Sequence, residues 1–173
     1  MDLIECPWTI IGGVACSLLG KPRFTADVDA VTIIDLDKLP EIIICAKEAG
    51  LEARIGDALQ FAKKNRVLLL KHKASGINID LSLGLLPFEA QAIKKSKKQK
   101  IGDIIFFLPT VEDLIIFKAI AHRPRDILDI EELVKNNKKI DKKYIKKVVT
   151  EFSQNLENTE ILADLKRLLR GRG

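Results

Sequence analysis

Residues 8–34 read WTIIGGVACSLLGKPRFTADVDAVTII, and the way this stretch folds sets the rest of the chain. WTII is an apolar run that reads as a strand stopping at Gly12-Gly13, and GVACSLLG reads as a short helix closed by Gly20. DVDAVTII is β-branched and reads as a second strand. Side chains alternate along a strand, so Asp27 and Asp29 share a face, with α-carbons roughly 6.5–7 Å apart. Carboxylates at that separation can converge on one divalent cation or bridge two. Mg²⁺ in particular is held by one or two carboxylates together with substrate phosphates. The double glycine lets backbone approach a phosphate and opens a helix whose first N–H groups are free to meet it, although tight strand-to-helix turns also need glycine for steric reasons alone.

A second pair, Asp35 and Asp37, follows in the same run. Eight residues of strand span roughly 26 Å, so the two pairs cannot share a site. Only Asp27 and Asp29 lie at the end that can meet the glycine turn, provided the intervening helix returns the chain antiparallel to the first strand. Asp35 and Asp37 read as the strand exit and the N-cap of the next helix, where asparagine would cost stability rather than metal binding.

Working outward, KLPEIIICAKEAG (38–50) is an apolar-faced helix with Pro40 in its first turn and Gly50 as its stop. RVLLLKHK and INIDLSLG read as two strands joined by a turn at ASG. In the second, Ile77, Ile79, Leu81 and Leu83 form one face, and Asn78, Asp80 and Ser82 the other. If that strand lies beside the Asp27–Ile34 strand, Asp80 adds a third carboxylate suited to general-base or second-metal duty. PFEAQAIKKS reads as a helix, the lysine-rich 94–100 segment as an exposed loop, and DIIFFL as a strand. After Pro109 the pattern turns helical: Thr110 and Asp113 form a cap-like pair before LIIFKAIA (114–121), and helices follow at 124–136, 141–154 and 159–170. The last two are amphipathic. The expected architecture is α/β (α+β), a small mixed sheet with helices against it. Residues 1–109 form the α/β core, and 110–173 a helical region packed on it in one compact unit.

The 173 residues suit that size, and 47% hydrophobic with 31% charged content suits a soluble chain with a real core. No apolar run reaches the ~18 residues of a membrane span, and the N-terminal stretch lacks the basic region of a secretory signal. Cys6, Cys16 and Cys45 are odd in number and form no Cys-x-x-Cys motif, which reads as buried free thiols in a reducing cytoplasm. His72 and His122 are far apart in sequence, and no zinc motif is present. The net charge of +5 is uneven: residues 1–93 carry 10 Lys and Arg against 12 Asp and Glu, whereas residues 94–173 carry 19 against 12. An acidic half joined to a basic half fits a polyanion held by metal on one side and lysines on the other. Composition alone favours a lysine-rich solvated surface.

In LIIFKAIA the lone charge is Lys118. A buried ammonium must be paired or face a ligand cleft, and a compact cation in a cleft suits a triphosphate. HRPRDILDI follows, in which Arg125 and Asp129 are spaced to pair on one helix, and Arg123 could reach phosphate or carboxylate.

Together these features resemble the nucleotidyltransferase superfamily related to DNA polymerase beta, on Gly12, Gly13, Asp27, Asp29 and Asp80. The stretch from Ile10 to Asp29 also resembles minimal nucleotidyltransferases grouped with AbiEii-type abortive-infection toxins, in which Gly20, Arg23 and Thr25 complete a Gly-x-x-Arg-x-Thr-x-Asp-x-Asp signature. That branch's later motif reads Asp113, Lys118, Arg123, Arg125-Asp126 and Asp129-Ile130, so the resemblance covers about residues 8–130. It implies that Asp27 and Asp29 bind Mg²⁺ (or Mn²⁺) carrying a nucleoside triphosphate, with Asp80 joining the metal site and helping to deprotonate an acceptor hydroxyl. It further implies that Gly12, Gly13, Arg23, Thr25, Lys118 and Arg123 hold the nucleotide and its phosphates, supported by Asp113, Arg125 and Asp126. The chain departs from the pattern at Gly13, where many members carry Ser.

The function so implied is nucleotidyl transfer from an NTP to a hydroxyl of RNA, protein or a small molecule, with pyrophosphate released, in the cytoplasm and away from membranes. The alternatives are a weak or inactive binding or regulatory module of the same fold, in a toxin–antitoxin-like pair, and a metal-dependent nuclease on the same carboxylates. Lysines at 94–100 and 138–147 and the tail RLLRGRG could attract RNA. With aromatic content at 5%, no stacking motif accompanies them.

Overall fold

The computed structural model describes residues 6–170. Residues 1–5 of the N-terminal stretch and residues 171–173 of the basic tail lie outside them. The chain divides into two compact units, Met1–Val14 with Thr25–Leu108, and Ala15–Phe24 with Pro109–Gly173.

The first unit is built on a mixed sheet. β1 (Trp8–Ile11) pairs antiparallel with β2 (Asp27–Thr32), and β2 pairs parallel with β5 (Asn78–Leu83). β4 (Val67–His72) pairs antiparallel with β5 and with the short β3 (Leu51–Ala53), giving the order β1-β2-β5-β4-β3. Gly76, at φ +73, turns the chain between β4 and β5. Ala30, Leu68, Leu70, Leu81 and Leu83 form the buried face, against which α2 (Leu39–Glu48) sets Leu39 and Ile42 and α3 (Ala58–Asn65) sets Ala62. Thr9 and Thr32 are wholly buried yet satisfied, donating to the carbonyls of Phe107 (3.0 Å) and Pro7 (2.8 Å).

Two local expectations are corrected, and one stretch carries elements that its sequence does not signal. β3 and α3 occupy that stretch, between Gly50 and Arg66. β3 is too short to show an alternation, and α3 begins at an Asp57 cap whose carboxylate accepts from Gln60 N–H. The lysine-rich segment is no loop: Lys94 and Lys95 end α4 (Pro87–Lys95), and β6 (Lys97–Ile101) pairs with β7 (Ile104–Leu108) across a turn at Gly102, φ +58. All of β6 is exposed, and the two-stranded pairing overrides the charge repulsion. Lastly, β2 ends at Thr32, and Asp35 stands at the N-cap position of a 3-10 turn, Leu36–Lys38, without making a side-chain capping bond; α2 then starts from Lys38.

The second unit takes the C-terminal part of α1 (Gly12–Leu19) and four helices: α5 (Val111–Ala121), α6 (Pro124–Asn136), α7 (Lys142–Asn155) and α8 (Thr159–Arg170). Leu114, Ile115, Ile116 and Ala119 of α5 are buried around its circumference. Ile145 and Val149 of α7, with Ile161, Leu165, Leu168 and Leu169 of α8, are buried at 3.6-residue periodicity. Thr110 caps α5 by accepting from Asp113 N–H (3.1 Å). Among the described residues, no helix is long and apolar enough to cross a membrane. Of the three thiols, Cys16 is buried, and Cys6 and Cys45 are half-buried.

Because neither carboxylate of the second acidic pair caps a helix, Asp35→Asn and Asp37→Asn should each move stability by less than about 0.5 kcal/mol, the range for surface changes. A shift of the urea midpoint beyond that would show a capping role.

Candidate active site

The registers place one row of residues straight across the sheet. Ile11 of β1 lies opposite Asp29 of β2, Asp29 opposite Asp80 of β5, and Asp80 opposite Leu69 of β4. Just past β3, Arg54 N–H donates to Leu69 C=O (3.0 Å) and adds a fifth member. Residues directly opposite share a face on strands about 4.8 Å apart, so Asp29 and Asp80 occupy neighbouring positions on one face of the sheet. Asp27 lies two residues before Asp29 on the same face, opposite Asn78. Thr25 Oγ1 donates to Asp27 Oδ1 (2.8 Å), which fixes that carboxylate at the strand entry. The parallel β2–β5 pair thus sets Asp29 opposite Asp80, with Asp27 one position along on the same face.

Gly12 opens α1 at φ +65, a conformation that side chains rarely adopt. A Cβ built on it would lie 1.8 Å from Asp29 Oδ2 and 2.5 Å from Asp29 Cγ. The Asp29 carboxylate therefore lies against the bare α-carbon of the glycine turn. Two independent reasons, sign of φ and lack of space, demand glycine here.

Asp80 is not open. Its Oδ1 is bound by Arg54 Nη2, with both side chains partly exposed. No group of three or more His, Cys, Asp or Glu residues placed to hold a metal is found among the described residues. The donor chemistry of Asp27 and Asp29 still fits a hard cation: both are carboxylates on one face, and Mg²⁺ asks for one or two of these with phosphate oxygens completing its shell. Arg54 is the site residue that sequence reasoning missed. Its signal could only be positional, since nothing in LEARIGD marks the three-residue strand that carries it into the row.

The second set of residues builds a buried ionic network within the helical unit. Lys118 Nζ lies 2.9 Å from Asp126 Oδ1 and 2.9 Å from Asp129 Oδ2. Arg23 binds Asp129 through Nε and Nη2, each at 3.1 Å, and Arg123 Nε binds Asp126 Oδ2 at 2.7 Å. Asp129 takes Arg23 and Lys118 rather than the Arg125 one turn away, and Arg125 is left exposed. Asp113, wholly buried, accepts from Thr110 and from Tyr144 Oη (2.7 Å each). The lone charge in LIIFKAIA is thus buried and paired, the first of the two solutions open to it.

Ionisation follows the geometry. Burial alone would lower Lys118, but its bonds to Asp126 and Asp129 outweigh it and hold the ammonium above its ordinary value. Burial alone would raise Asp126, but bonds from Arg123 and Lys118 hold it below its ordinary value. Burial pushes the Cys16 thiol up to about 12, so it is an inert core group.

With the geometry in hand, the chain can be set beside known proteins. No protein-family model matches it, and no curated protein matches it in sequence. Solved structures do. The fold is a nucleotidyltransferase fold. An antigenic nucleotidyltransferase-like protein from Paracoccidioides brasiliensis superposes with TM-score 0.56 at 17% identity, over 95% of this chain and 86% of that one. The lincosamide antibiotic adenylyltransferase LnuA, solved with lincomycin bound, gives 0.52 at 14% identity over 79% and 90%. The solution structure of the antibiotic-resistance factor ANT(2'')-Ia gives 0.51 at 15% identity over 98% and 84%.

Gly12→Ala should cost about 1–3 kcal/mol from the left-handed backbone alone, with displacement of Asp29 added, whereas Gly56→Ala, with open space around it, should be near neutral. Urea midpoints of the two variants test this. A second expectation concerns acid. Asp126 titrates below the ordinary 3.8 when folded, so its stabilisation is full above that value and is lost as pH falls through the lower, folded one. Thermal melts from about pH 6 to about pH 2 should show stability falling below about pH 4, with a shallower fall in Asp126→Asn.

Proposed function

We propose that this protein is a Mg²⁺-dependent nucleotidyltransferase that moves a nucleoside monophosphate from an NTP to an acceptor hydroxyl and releases pyrophosphate. The observation that carries the reading is the Asp29 carboxylate, set between the glycine turn and Asp80 on a sheet of this fold. Asp27 and Asp29 would hold the cation, which when bound neutralises charge on the phosphates. Thr25 holds the Asp27 carboxylate through its hydroxyl. Gly12 and Gly13 admit phosphate oxygens to the backbone at the start of α1. The acceptor oxygen forms a bond to the α-phosphorus while the bond to the bridging oxygen breaks, and pyrophosphate carries away that electron pair. Asp80 would accept the hydroxyl proton at its carboxylate.

Arg23, Lys118 and Arg123 take a different role from the one the family resemblance implies. Their partners are Asp126 and Asp129, and we assign them to holding the helical unit together. Among acceptors we favour a small molecule, the reading in keeping with LnuA being a lincosamide adenylyltransferase. RNA and protein hydroxyls, and the AbiEii-type branch, belong to the same reading. One observation favours a second reading, an inactive regulatory module: the third carboxylate is tied to Arg54.

The test is incubation of the chain and Mg²⁺ with each α-labelled NTP, against cell RNA, lysate protein and hydroxylated small molecules. Label should appear on one acceptor class and be absent with Asp27→Asn or Asp29→Asn. Labelling by neither wild type nor variants, with no NTP-induced rise in melting temperature, supports the inactive module. Cleavage of RNA without added triphosphate would point to a nuclease.

A further inference from the structure

Arg54 is anchored by its backbone and partly exposed at its side chain. Its N–H bond to Leu69 fixes the α-carbon in the row of Asp29 and Asp80, two strands from Asp80. The side chains of Arg54 and Asp80 are 26% and 34% exposed, unlike Asp126 and Asp129 at 2% and 7%. Partly exposed pairs of this kind are held weakly, because water screens them and two long side chains must be ordered to make them. Without the guanidinium, three carboxylates would stand on adjacent positions of one sheet face, so Arg54 relieves their repulsion when no ligand is bound. A polyphosphate offers that guanidinium several anionic oxygens in the planar geometry it binds best.

We propose that Arg54 is a positioning residue that works by exchange: it holds Asp80 in the free protein, and transfers to the phosphates when a polyphosphate enters, releasing the Asp80 carboxylate into the site. The inference rests on the nucleotidyltransferase reading and adds to it a phosphate-binding side chain and an order of events. Until substrate phosphate arrives, Asp80 is withheld from proton transfer.

Equilibrium binding tests it without turnover. Mn²⁺ alone is followed by the paramagnetic signal of the free ion, and inorganic tripolyphosphate by calorimetry, on wild type, Arg54→Gln, Asp80→Asn and the double variant, with Asp29→Asn added for Mn²⁺. Arg54→Gln should weaken tripolyphosphate at least about tenfold, one bidentate charged contact, and tighten Mn²⁺ severalfold because Asp80 is freed. Asp80→Asn should tighten tripolyphosphate in the wild-type background and lose that gain in the Arg54→Gln background, the coupling that exchange requires. In wild type, the Nε–H resonance of Arg54 should move on adding tripolyphosphate. Additive effects in the cycle, or tripolyphosphate binding unchanged in Arg54→Gln, would overturn the exchange. In that case Mn²⁺ binding that is lost in Asp29→Asn would leave the nucleotidyltransferase reading standing. A wild-type chain that binds neither probe would overturn both.

Discussion

The parallel pairing of β2 with β5 is the constraint on which the candidate site depends. Within a sheet, register is all-or-none: a slip of one residue would send Asp29 to the opposite face and bring Val28 or Ala30 beside Asp80. What holds the register is apolar. Ala30, Leu81 and Leu83 interleave on the buried face with Leu68 and Leu70 of β4, so the core sets the position of the carboxylates that point the other way. β1 then brings the glycine turn to Asp29 by an independent antiparallel register, with Ile11 as its last paired residue.

The two units treat charge in opposite ways. In the sheet unit the carboxylates stand on a half-exposed face, and the cation that meets them does so from the edge strand through a flexible side chain. In the helical unit Asp126 and Asp129 are nearly inaccessible, and three cations converge on them. Buried charges of the second kind are costly to separate, which suits a scaffold. Exposed ones of the first kind can change partners at little cost, which suits ligand traffic.

Much of the candidate site's layout is legible in the sequence because its signals are local. Gly12-Gly13 and Asp27-x-Asp29 are short patterns whose geometry follows from strand alternation and turn sterics, and Asp80 revealed itself by sitting on the polar side of an alternating strand. The N-cap Thr110 was read the same way. What stayed hidden was set by pairing over distance. β3 has three residues and no period, and Arg54 gains its meaning from Leu69, Asp80 and the sheet order. Lys118 showed from sequence that it needed a partner, but whether ligand or carboxylate was decided by helix packing that brings in residues 8 and 11 positions later. The lysine run became a strand because a partner strand and a left-handed glycine outweighed its charge.

The division of the chain has a bearing on modularity. The path leaves the sheet unit within α1, returns at Thr25, and leaves again after Leu108, so neither unit is a single segment. Cutting at Pro109 would strand Arg23 without Asp129, and Asn137 would lose the Leu19 carbonyl it binds at 2.7 Å. Residues 15–24 therefore behave as a stitch. They tie the inheritance of the helical part to that of the sheet, so that recombination at the obvious boundary would yield two incomplete halves, and new specificities would have to arise by substitution or loop insertion rather than by domain exchange.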